Sequence, residues 1–217
     1  MKPSTAINQT ILMMVCLIFF NSIDCDAEGL SQYSIHTATP QLQYTIQNLH
    51  EIKTAHDISG KEALFYESIK NKPVLFRFWS PNCGFTLSTN QPLNELFLQF
   101  KDDIVFYDVI SNWRVDIKEV NRVRKKYQLS IPALLDKNAE IADVLNAVNT
   151  PELFVFNKDG KLVYRGSFYP FGEDGDNINI TVKLILDQLI LDNAIVPFFN
   201  PSPGCLIQRN PIIRIKD

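Results

Sequence analysis

Clustered positive charge is scarce in this chain of 217 residues. The formal net charge is −3 at neutral pH, and a short basic run at residues 122–126 lies in a segment with helical periodicity. A solvated helix face accounts for such a run. Binding to the phosphate backbone of a nucleic acid needs clustered lysine and arginine. We therefore expect no nucleic-acid partner.

Apolar runs of membrane-spanning length are also missing. The continuous apolar run at residues 11–20 is shorter than the roughly 20 residues of a transmembrane helix and suits the core of a signal peptide. Residues 1–27 are therefore predicted to be a signal peptide, with an uncleaved anchor as the alternative. The chain is expected to be extracytoplasmic, either periplasmic or secreted, and attached to a membrane only if the leader is retained.

Residues able to bind metal are few. The three histidines, His36, His50 and His56, all precede the central part of the chain, and isolated histidines in a polar segment are usually surface residues. The acidic run at 172–177 lacks the spaced ligands of a calcium loop and is predicted to be a solvated turn. We expect no metal and no cofactor.

Cysteine is sparse as well, with four in the chain. Cys16 and Cys25 belong to the predicted leader, which leaves Cys83 and Cys205 in the mature chain. Disulfides persist outside the cytoplasm, so these two residues have a compartment in which they could be oxidised.

The composition is that of a globular protein, with 46% hydrophobic and 21% charged residues. Apolar periodicity predicts helices alternating with buried strands, followed by a hairpin at the turn sequence NKDG and a last helix. The N-terminal segment 41–49 is predicted to be a strand or hairpin and 60–71 a short helix. This order predicts an α/β fold, with a mixed central sheet and helices on both faces. The predicted strands are 72–79, 104–112, 131–136 and the hairpin 151–168; the predicted helices are 84–103, kinked at Pro92, 115–128, 138–147 and 178–193.

Cys83 is predicted to lie where a buried strand meets a helix. The first turn of a helix offers unpaired N–H groups and the positive end of its dipole, and both stabilise a thiolate. The thiolate is the attacking species in disulfide exchange. Cys83 is therefore the candidate nucleophile.

The segment KPVLFRFWSPNCGFT (72–86) resembles the active-site strand and loop of the thioredoxin superfamily. The segment NTPELFVFNKDGKLVYRG (149–166) resembles its Thr-Pro segment and closing hairpin, and the extra helix and strand between them are similar to the redoxin branch, which includes the alkyl-hydroperoxide-reductase/thiol-specific-antioxidant proteins. The resemblance implies a thioredoxin-like domain over residues 60–192, after an N-terminal extension at 28–59 and before a proline-rich tail at 193–217.

The resemblance also implies roles for particular residues. Cys83 matches the attacking cysteine, and Trp79, Thr150 and Pro151 match residues that bind the substrate beside it, with Pro151 in the cis form. Core packing is the alternative for Trp79, and a trans edge-strand proline is the alternative for Pro151. No cofactor is implied, and the expected partners are protein thiols or disulfides, or peroxide, with an external thiol as reductant.

Two departures from the family pattern stand near Cys83. Thr86 replaces the second cysteine of a CxxC motif, and Arg77 stands where thioredoxins often have a buried acid. Both are predicted to tune the pKa of Cys83. For Arg77, pairing with a nearby carboxylate and a surface position are the alternatives.

Three readings of the function compete. The first is a thiol–disulfide oxidoreductase with a single active-site cysteine. The second is a peroxiredoxin-type peroxidase, for which Ser80 fits the family pattern but Phe76 stands where a proline is expected. The third is a non-catalytic binding module that uses the groove around Pro151. A copper site like that of some relatives is not expected, because Leu87 stands at the second cysteine of CxxxC and no histidine follows Cys83.

The proline-rich tail carries Cys205. Gly204 allows the chain to turn there, and Phe198, Phe199, Leu206 and Ile207 are possible apolar anchors. The hypothesis is that the tail folds back so that Cys205 resolves Cys83 in place of the cysteine missing at residue 86. A buried or dangling thiol at Cys205 is the alternative.

Overall fold

The fold is described here from a computed structural model, which covers residues 45–52, 54–168, 178–195 and 197–211. The predicted leader and the acidic run at 172–177 lie outside the described residues. Among these residues, no helix is both long and apolar enough to cross a membrane.

The helices and strands of the described part follow one another in nearly regular alternation. The strands are β1 (Thr54–Asp57), β2 (Glu62–Leu64), β3 (Val74–Phe78), β4 (Val105–Ile110), β5 (Ala133–Leu135), β6 (Asn149–Thr150), β7 (Glu152–Phe156), β8 (Leu162–Gly166), β9 (Phe198–Phe199) and β10 (Cys205–Leu206). The α-helices are α1 (Phe65–Ile69), α2 (Gly84–Ser88), α3 (Asn90–Phe100), α4 (Ile117–Lys126), α5 (Glu140–Val144) and α6 (Ile178–Ile190), and a 3₁₀ helix covers Ile46–Leu49.

One mixed sheet organises the described residues, with the strand order β2-β1-β5-β4-β3-β7-β8-β9. β3, β4 and β5 run parallel, while β7 is antiparallel to both β3 and β8. A separate two-stranded ladder joins β6 and β10. The prediction of an α/β fold with a mixed central sheet is confirmed.

Helices cover both faces of the sheet, and the central strand β3 shows why. All five of its residues are buried. Successive side chains of a strand point to opposite faces, so Phe76 and Phe78 pack in one apolar cluster with the 3₁₀ helix, α1 and α5, whereas Leu75 packs in another with α3 and α6. Burial on both faces explains the nearly continuous apolar sequence of this strand.

The N-terminal boundary of the domain lies earlier than the sequence suggested. β1 pairs with β5 and β2, so residues of the predicted extension 28–59 form part of the sheet. The predicted helix at 60–71 begins only at Phe65, because Glu62–Leu64 pairs with β1. The described part of 41–49 contains the 3₁₀ helix rather than a strand, since the Asn48 side chain accepts hydrogen bonds from the backbone and hydroxyl of Thr45.

The long helix predicted over 84–103 is divided in two. α2 ends at Ser88 and α3 begins at Asn90, with Thr89 between them. Pro92 therefore lies in the first turn of α3, where a missing N–H removes no intrahelical hydrogen bond. The predicted kink is in fact a helix boundary, three residues before the proline.

The tail is folded onto the domain. β9 pairs parallel with β8, and β10 pairs with β6. Of the anchors predicted there, Ile207 is buried in the apolar core, while Phe199 and Leu206 are exposed. The main attachment of the tail is therefore its backbone hydrogen bonding together with Ile207.

Candidate active site

Cys83 lies at the junction of β3 and α2, as the sequence predicted. It is the N-cap residue of α2, with an extended backbone, and its carbonyl accepts the first helical hydrogen bond, from Leu87 N at 3.1 Å. Its side chain is fully buried. The strand and helix together therefore hold the sulfur inside the domain, close to the N–H groups of the first helical turn.

The loop that contains Pro151 faces this cysteine. The Thr150–Pro151 peptide bond is cis, as predicted. The thiol of Cys83 donates a hydrogen bond to the Thr150 carbonyl oxygen at 2.9 Å. The structure therefore brings together residues that lie 67 positions apart in the chain.

Cys205 joins the same site through the β6–β10 ladder. Cys205 lies opposite Thr150, and Leu206 lies opposite Asn149, in antiparallel register. The Thr150 hydroxyl donates to the Cys205 carbonyl at 3.3 Å. The tail thus places its cysteine beside the residue whose carbonyl binds the Cys83 thiol.

We call residues 200–209 the strap, because both ends of this segment are fastened to the domain. Before Cys205, the Asn149 side chain donates to the Ser202 carbonyl at 2.7 Å, and the Ser202 hydroxyl donates to the Pro151 carbonyl. Gly204 packs so closely that a Cβ atom there would lie 2.2 Å from the Thr150 carbonyl oxygen. Only glycine fits at this position without displacement of the strap or the loop.

The other end of the strap is held by a second group of hydrogen bonds. Ile207 N donates to the Val148 carbonyl at 2.8 Å, and Gln208 N donates to the Asn112 side chain at 2.7 Å. Arg209 donates to the Ala147 carbonyl at 2.6 Å and forms an ion pair with Asp143. Cys205 therefore lies in the middle of a segment that is fixed on either side.

The pKa values of the two thiols move in opposite directions. Burial raises the pKa of Cys83, but hydrogen bonds from the Cys205 thiol, the Thr86 N–H, the Thr86 hydroxyl and the Thr150 hydroxyl outweigh it and lower the pKa from 9.0 to about 7. Cys205 is an exposed residue, but partial enclosure of its thiol, together with the hydrogen bond and charge of Cys83, raises its pKa to about 11. Cys205 therefore acts as a donor that stabilises the thiolate form of Cys83.

Thr86 occupies the place of the absent second cysteine. It is fully buried in the first turn of α2, and its hydroxyl has no hydrogen-bond partner that meets ordinary geometry among the described residues. The hydroxyl and the backbone N–H of Thr86 nevertheless both contribute to lowering the pKa of Cys83. The role predicted for Thr86 in tuning that pKa stays a prediction.

Arg77 is buried rather than on the surface. It makes two hydrogen bonds to Asp108, at 2.7 and 3.0 Å, and its remaining nitrogen contacts Thr89 and Asn90. Arg124 also binds Asp108, at 2.9 Å. The described hydrogen bonds of Arg77 therefore go to Asp108, Thr89 and Asn90 and not to Cys83. Of the alternatives given for Arg77, the structure shows the pairing with a carboxylate.

Trp79 lies in the core, whereas the resemblance predicted it beside the substrate. The side chain is fully buried among apolar residues of β5 and α4, and its indole N–H donates to the Asn90 side chain at 2.8 Å. An amphipathic aromatic side chain is satisfied inside when its N–H has such a partner. Core packing, the alternative given above, is what the structure shows for Trp79.

Sequence reasoning missed several polar residues that shape the site. Asp108, Asn90 and Arg124 form the buried network around Arg77. Glu152 accepts hydrogen bonds from the backbone of Val148 and from Arg165, and so supports the loop before Pro151. The sequence does carry a signal for Asp108 and Glu152, because each is a single charged residue in an otherwise apolar strand, IVFYDVI and ELFVF. A buried charge requires a partner, so each of these residues predicts a polar contact inside the domain.

A central mixed sheet, a helix-capping cysteine and a facing cis-proline loop define a thioredoxin-like fold. The sequence model of the AhpC/TSA family matches residues 47–165, which is more than half of the chain. The chain therefore belongs to the AhpC/TSA family, in the redoxin branch of the thioredoxin superfamily.

Curated relatives are similar over part of the chain. The thiol-disulfide oxidoreductase ResA of Bacillus thuringiensis is 30% identical over 107 residues, which cover 49% of this chain and 61% of the relative. ResA of Bacillus anthracis is 29% identical over a match of the same length and coverage. The chain thus spans about three fifths of the length of these relatives.

Solved structures share the fold. A hypothetical protein from Sinorhizobium meliloti superposes with a TM-score of 0.64 and 21% identity, over 73% of this chain and 91% of that one. A secreted disulfide oxidoreductase from Mycobacterium tuberculosis gives a TM-score of 0.51 and 20% identity, over 64% and 94%. At these identities the likeness establishes the fold alone.

Proposed function

We propose that this protein is an extracytoplasmic thiol–disulfide oxidoreductase whose redox pair is Cys83 and Cys205. The observation that carries the proposal is the position of both cysteines against Thr150, whose carbonyl accepts a hydrogen bond from the Cys83 thiol and which pairs with Cys205 in the β6–β10 ladder. Cys205 takes the role that the second cysteine of a CxxC motif has elsewhere in the superfamily, and Thr86 fills the vacated position.

The chemistry of this pair is a reversible two-electron oxidation. Both cysteines contact Thr150, through the Cys83 thiol and the Cys205 backbone, and their oxidation would join the two sulfurs in an S–S bond of roughly 2.05 Å. Exchange begins when a thiolate attacks a disulfide sulfur. The pKa of about 7 for Cys83 supports redox use of this residue over a purely binding role, because an inert buried thiol in apolar surroundings would have a raised pKa instead.

The similarity to the ResA proteins supports the same class of reaction, with dithiols or disulfides of other proteins as substrates. The predicted leader supports a location outside the cytoplasm. A stable disulfide requires an oxidising compartment, which is consistent with this location.

The test is non-reducing peptide mapping of the full chain. Cys16 and Cys25 are first replaced by serine, so that Cys83 and Cys205 are the remaining thiols. After treatment with oxidised glutathione, we expect loss of both thiols and a peptide pair joined through Cys83 and Cys205. We also expect this protein to catalyse thiol–disulfide exchange with a dithiol peptide, and C83S and C205S each to lose that activity. Two free thiols after oxidation would refute the proposal.

A further inference from the structure

The two cysteines of the proposed pair differ in their access to solvent. Cys83 is fully buried, whereas Cys205 is exposed. A partner protein must reach one of these two sulfurs to exchange a disulfide. We infer that Cys205, not Cys83, forms the mixed disulfide with the partner. This inference rests on the proposed function and assigns the residue of the pair that faces the partner.

Three elements cover Cys83. The first turn of α2 encloses it from one side, the Thr150 carbonyl contacts its thiol, and the strap crosses beside it. A thiol of a partner could reach the Cys83 sulfur only after the strap had left β6. That movement would break the β6–β10 ladder and the flanking hydrogen bonds of Ser202 and Ile207.

Attack at Cys205 requires no such movement. A thiolate approaches a disulfide along the S–S axis, from the side opposite to the leaving sulfur. With Cys83 inside the domain, the side of Cys205 opposite to it is the outer side of the strap. The strap is fastened before and after Cys205, so it presents this sulfur to a partner while the rest of the site stays closed.

The donors around Cys83 favour the same site of attack. In disulfide exchange the sulfur of lower thiol pKa leaves faster. Attack at Cys205 expels Cys83, and the Thr86 N–H, the Thr86 hydroxyl and the Thr150 hydroxyl, which lower the pKa of Cys83, remain beside the leaving sulfur.

The reaction has two balanced steps. In the first, a partner thiolate attacks the Cys205 sulfur, a partner–Cys205 disulfide forms, and the Cys83–Cys205 bond breaks with its electron pair remaining on Cys83. In the second, another thiolate of the partner attacks the partner sulfur, the partner disulfide forms, and Cys205 leaves and takes a proton from solvent. The partner loses two electrons and the cysteine pair gains two. A disulfide compound of higher reduction potential regenerates the oxidised pair.

The experiment identifies the sulfur that receives a single-thiol probe. The oxidised protein in the C16S/C25S background is mixed with reduced glutathione, quenched with acid at the earliest accessible times, alkylated and mapped. We expect glutathione on Cys205 and the alkylating group on Cys83, in at least about tenfold excess over the opposite arrangement. Glutathione on Cys83 to an equal or greater extent overturns the inference. Failure to obtain the starting Cys83–Cys205 disulfide is a different result, and it refutes the proposed function instead.

A loosened strap provides a second, independent readout. Gly204→Val removes the fit against the Thr150 carbonyl, and Glu119→Gln is the control, because it changes only an exposed ion pair with Arg122 on α4. If Cys205 faces the partner from a fixed strap, Gly204→Val slows the reaction of the oxidised protein with glutathione, while the control reacts as the parent does. A faster reaction of Gly204→Val would mean that the strap blocks the reactive sulfur, and it would overturn the inference.

Discussion

Thr150 and Cys205 lie opposite each other in the short ladder between β6 and β10, and Thr150 also accepts the hydrogen bond of the Cys83 thiol. One residue thus connects the two cysteines. The backbone edge beside the cis-proline is filled by a strand from the same chain. The contacts of both cysteines with Thr150 lie within one chain, so they can be tested in the isolated protein.

The fit of Gly204 predicts how the strap controls Cys83. In reduced protein, Gly204→Val should expose Cys83 and increase its rate of alkylation, because the added side chain collides with the Thr150 carbonyl. Quenched alkylation followed by peptide mapping measures this rate at each cysteine. Glu119→Gln, which removes an exposed ion pair with Arg122, should leave both rates unchanged. Equal Cys83 rates in the parent and in Gly204→Val would show that the strap does not limit access.

The hydrogen bond between the thiols predicts the titration of the reduced protein. Thiolate absorbance in the ultraviolet should rise in a first step near pH 7, from Cys83, and in a second step near pH 11, from Cys205. Cys205→Ala removes the largest of the contributions that lower the Cys83 pKa, so the first step should move to higher pH. Cys83→Ala should abolish it. A single transition of both thiols near pH 9 would contradict the described contact.

The same values predict how stability depends on pH. The pKa of Cys83 is depressed on folding from 9.0 to about 7, so the stability it contributes is present above pH 9 and lost as the pH falls towards 7. The pKa of Cys205 is raised to about 11, so its contribution is present below pH 9 and lost as the pH rises towards 11. Reduced protein should therefore gain stability between pH 7 and 9 relative to Cys83→Ala, measured by urea unfolding. A constant difference over this range would be inconsistent with a depressed pKa.

The buried hydroxyl of Thr86 predicts an effect on acidity. Thr86→Val keeps the shape of the side chain but removes one donor to the Cys83 thiolate, so the pKa of Cys83 should rise. The free energy of unfolding below pH 7 should change little, because the hydroxyl has no other ordinary partner among the described residues. Thr89→Val is the contrasting variant, since its hydroxyl donates to the Thr86 carbonyl at 2.8 Å and accepts from Arg77. It should lower stability without a comparable change at Cys83.

The sequence predicts the central part of this fold well because its signals are local. The apolar strands at 72–79 and 104–112, the NKDG turn and the helix at 115–128 all appear close to their expected positions. Cys83 at the start of a helix and the cis bond before Pro151 also follow from short motifs. Each of these features depends on residues that are near one another in the chain.

The features that the sequence does not predict depend on distant partners. The pairing of β1 with β5 joins residues almost 80 positions apart, and its short strand has no distinctive pattern. The position of Trp79 depends on Asn90, which becomes its partner only after α3 has packed on the sheet. The folding back of the tail is another such feature. No periodicity in the sequence indicates that Cys205 lies opposite Thr150, so the sequence supports this arrangement only as a hypothesis.

The buried network around Asp108 leads to the last prediction. Asp108 is fully buried and binds both Arg77 and Arg124. Asp108→Asn leaves two buried or nearly buried guanidinium groups without their counter-charge, so it should destabilise the reduced protein by about 3–5 kcal/mol, measured by urea unfolding. The matched control is Glu119→Gln, which removes an exposed ion pair with Arg122 and should leave the unfolding midpoint unchanged.

A triple variant separates the two ways in which this network could act. Removing one partner of a buried ionic group is costly because the other charges remain, whereas replacing the whole group by apolar residues of similar volume is often neutral. Arg77→Met, Asp108→Leu and Arg124→Met together should therefore recover most of the stability lost in Asp108→Asn. Because the described hydrogen bonds of Arg77 do not reach Cys83, the first step of the thiolate titration should stay near pH 7 in the triple variant. A shift of that step would show that the network acts on Cys83, and would restore the role in tuning its pKa that the sequence predicted for Arg77.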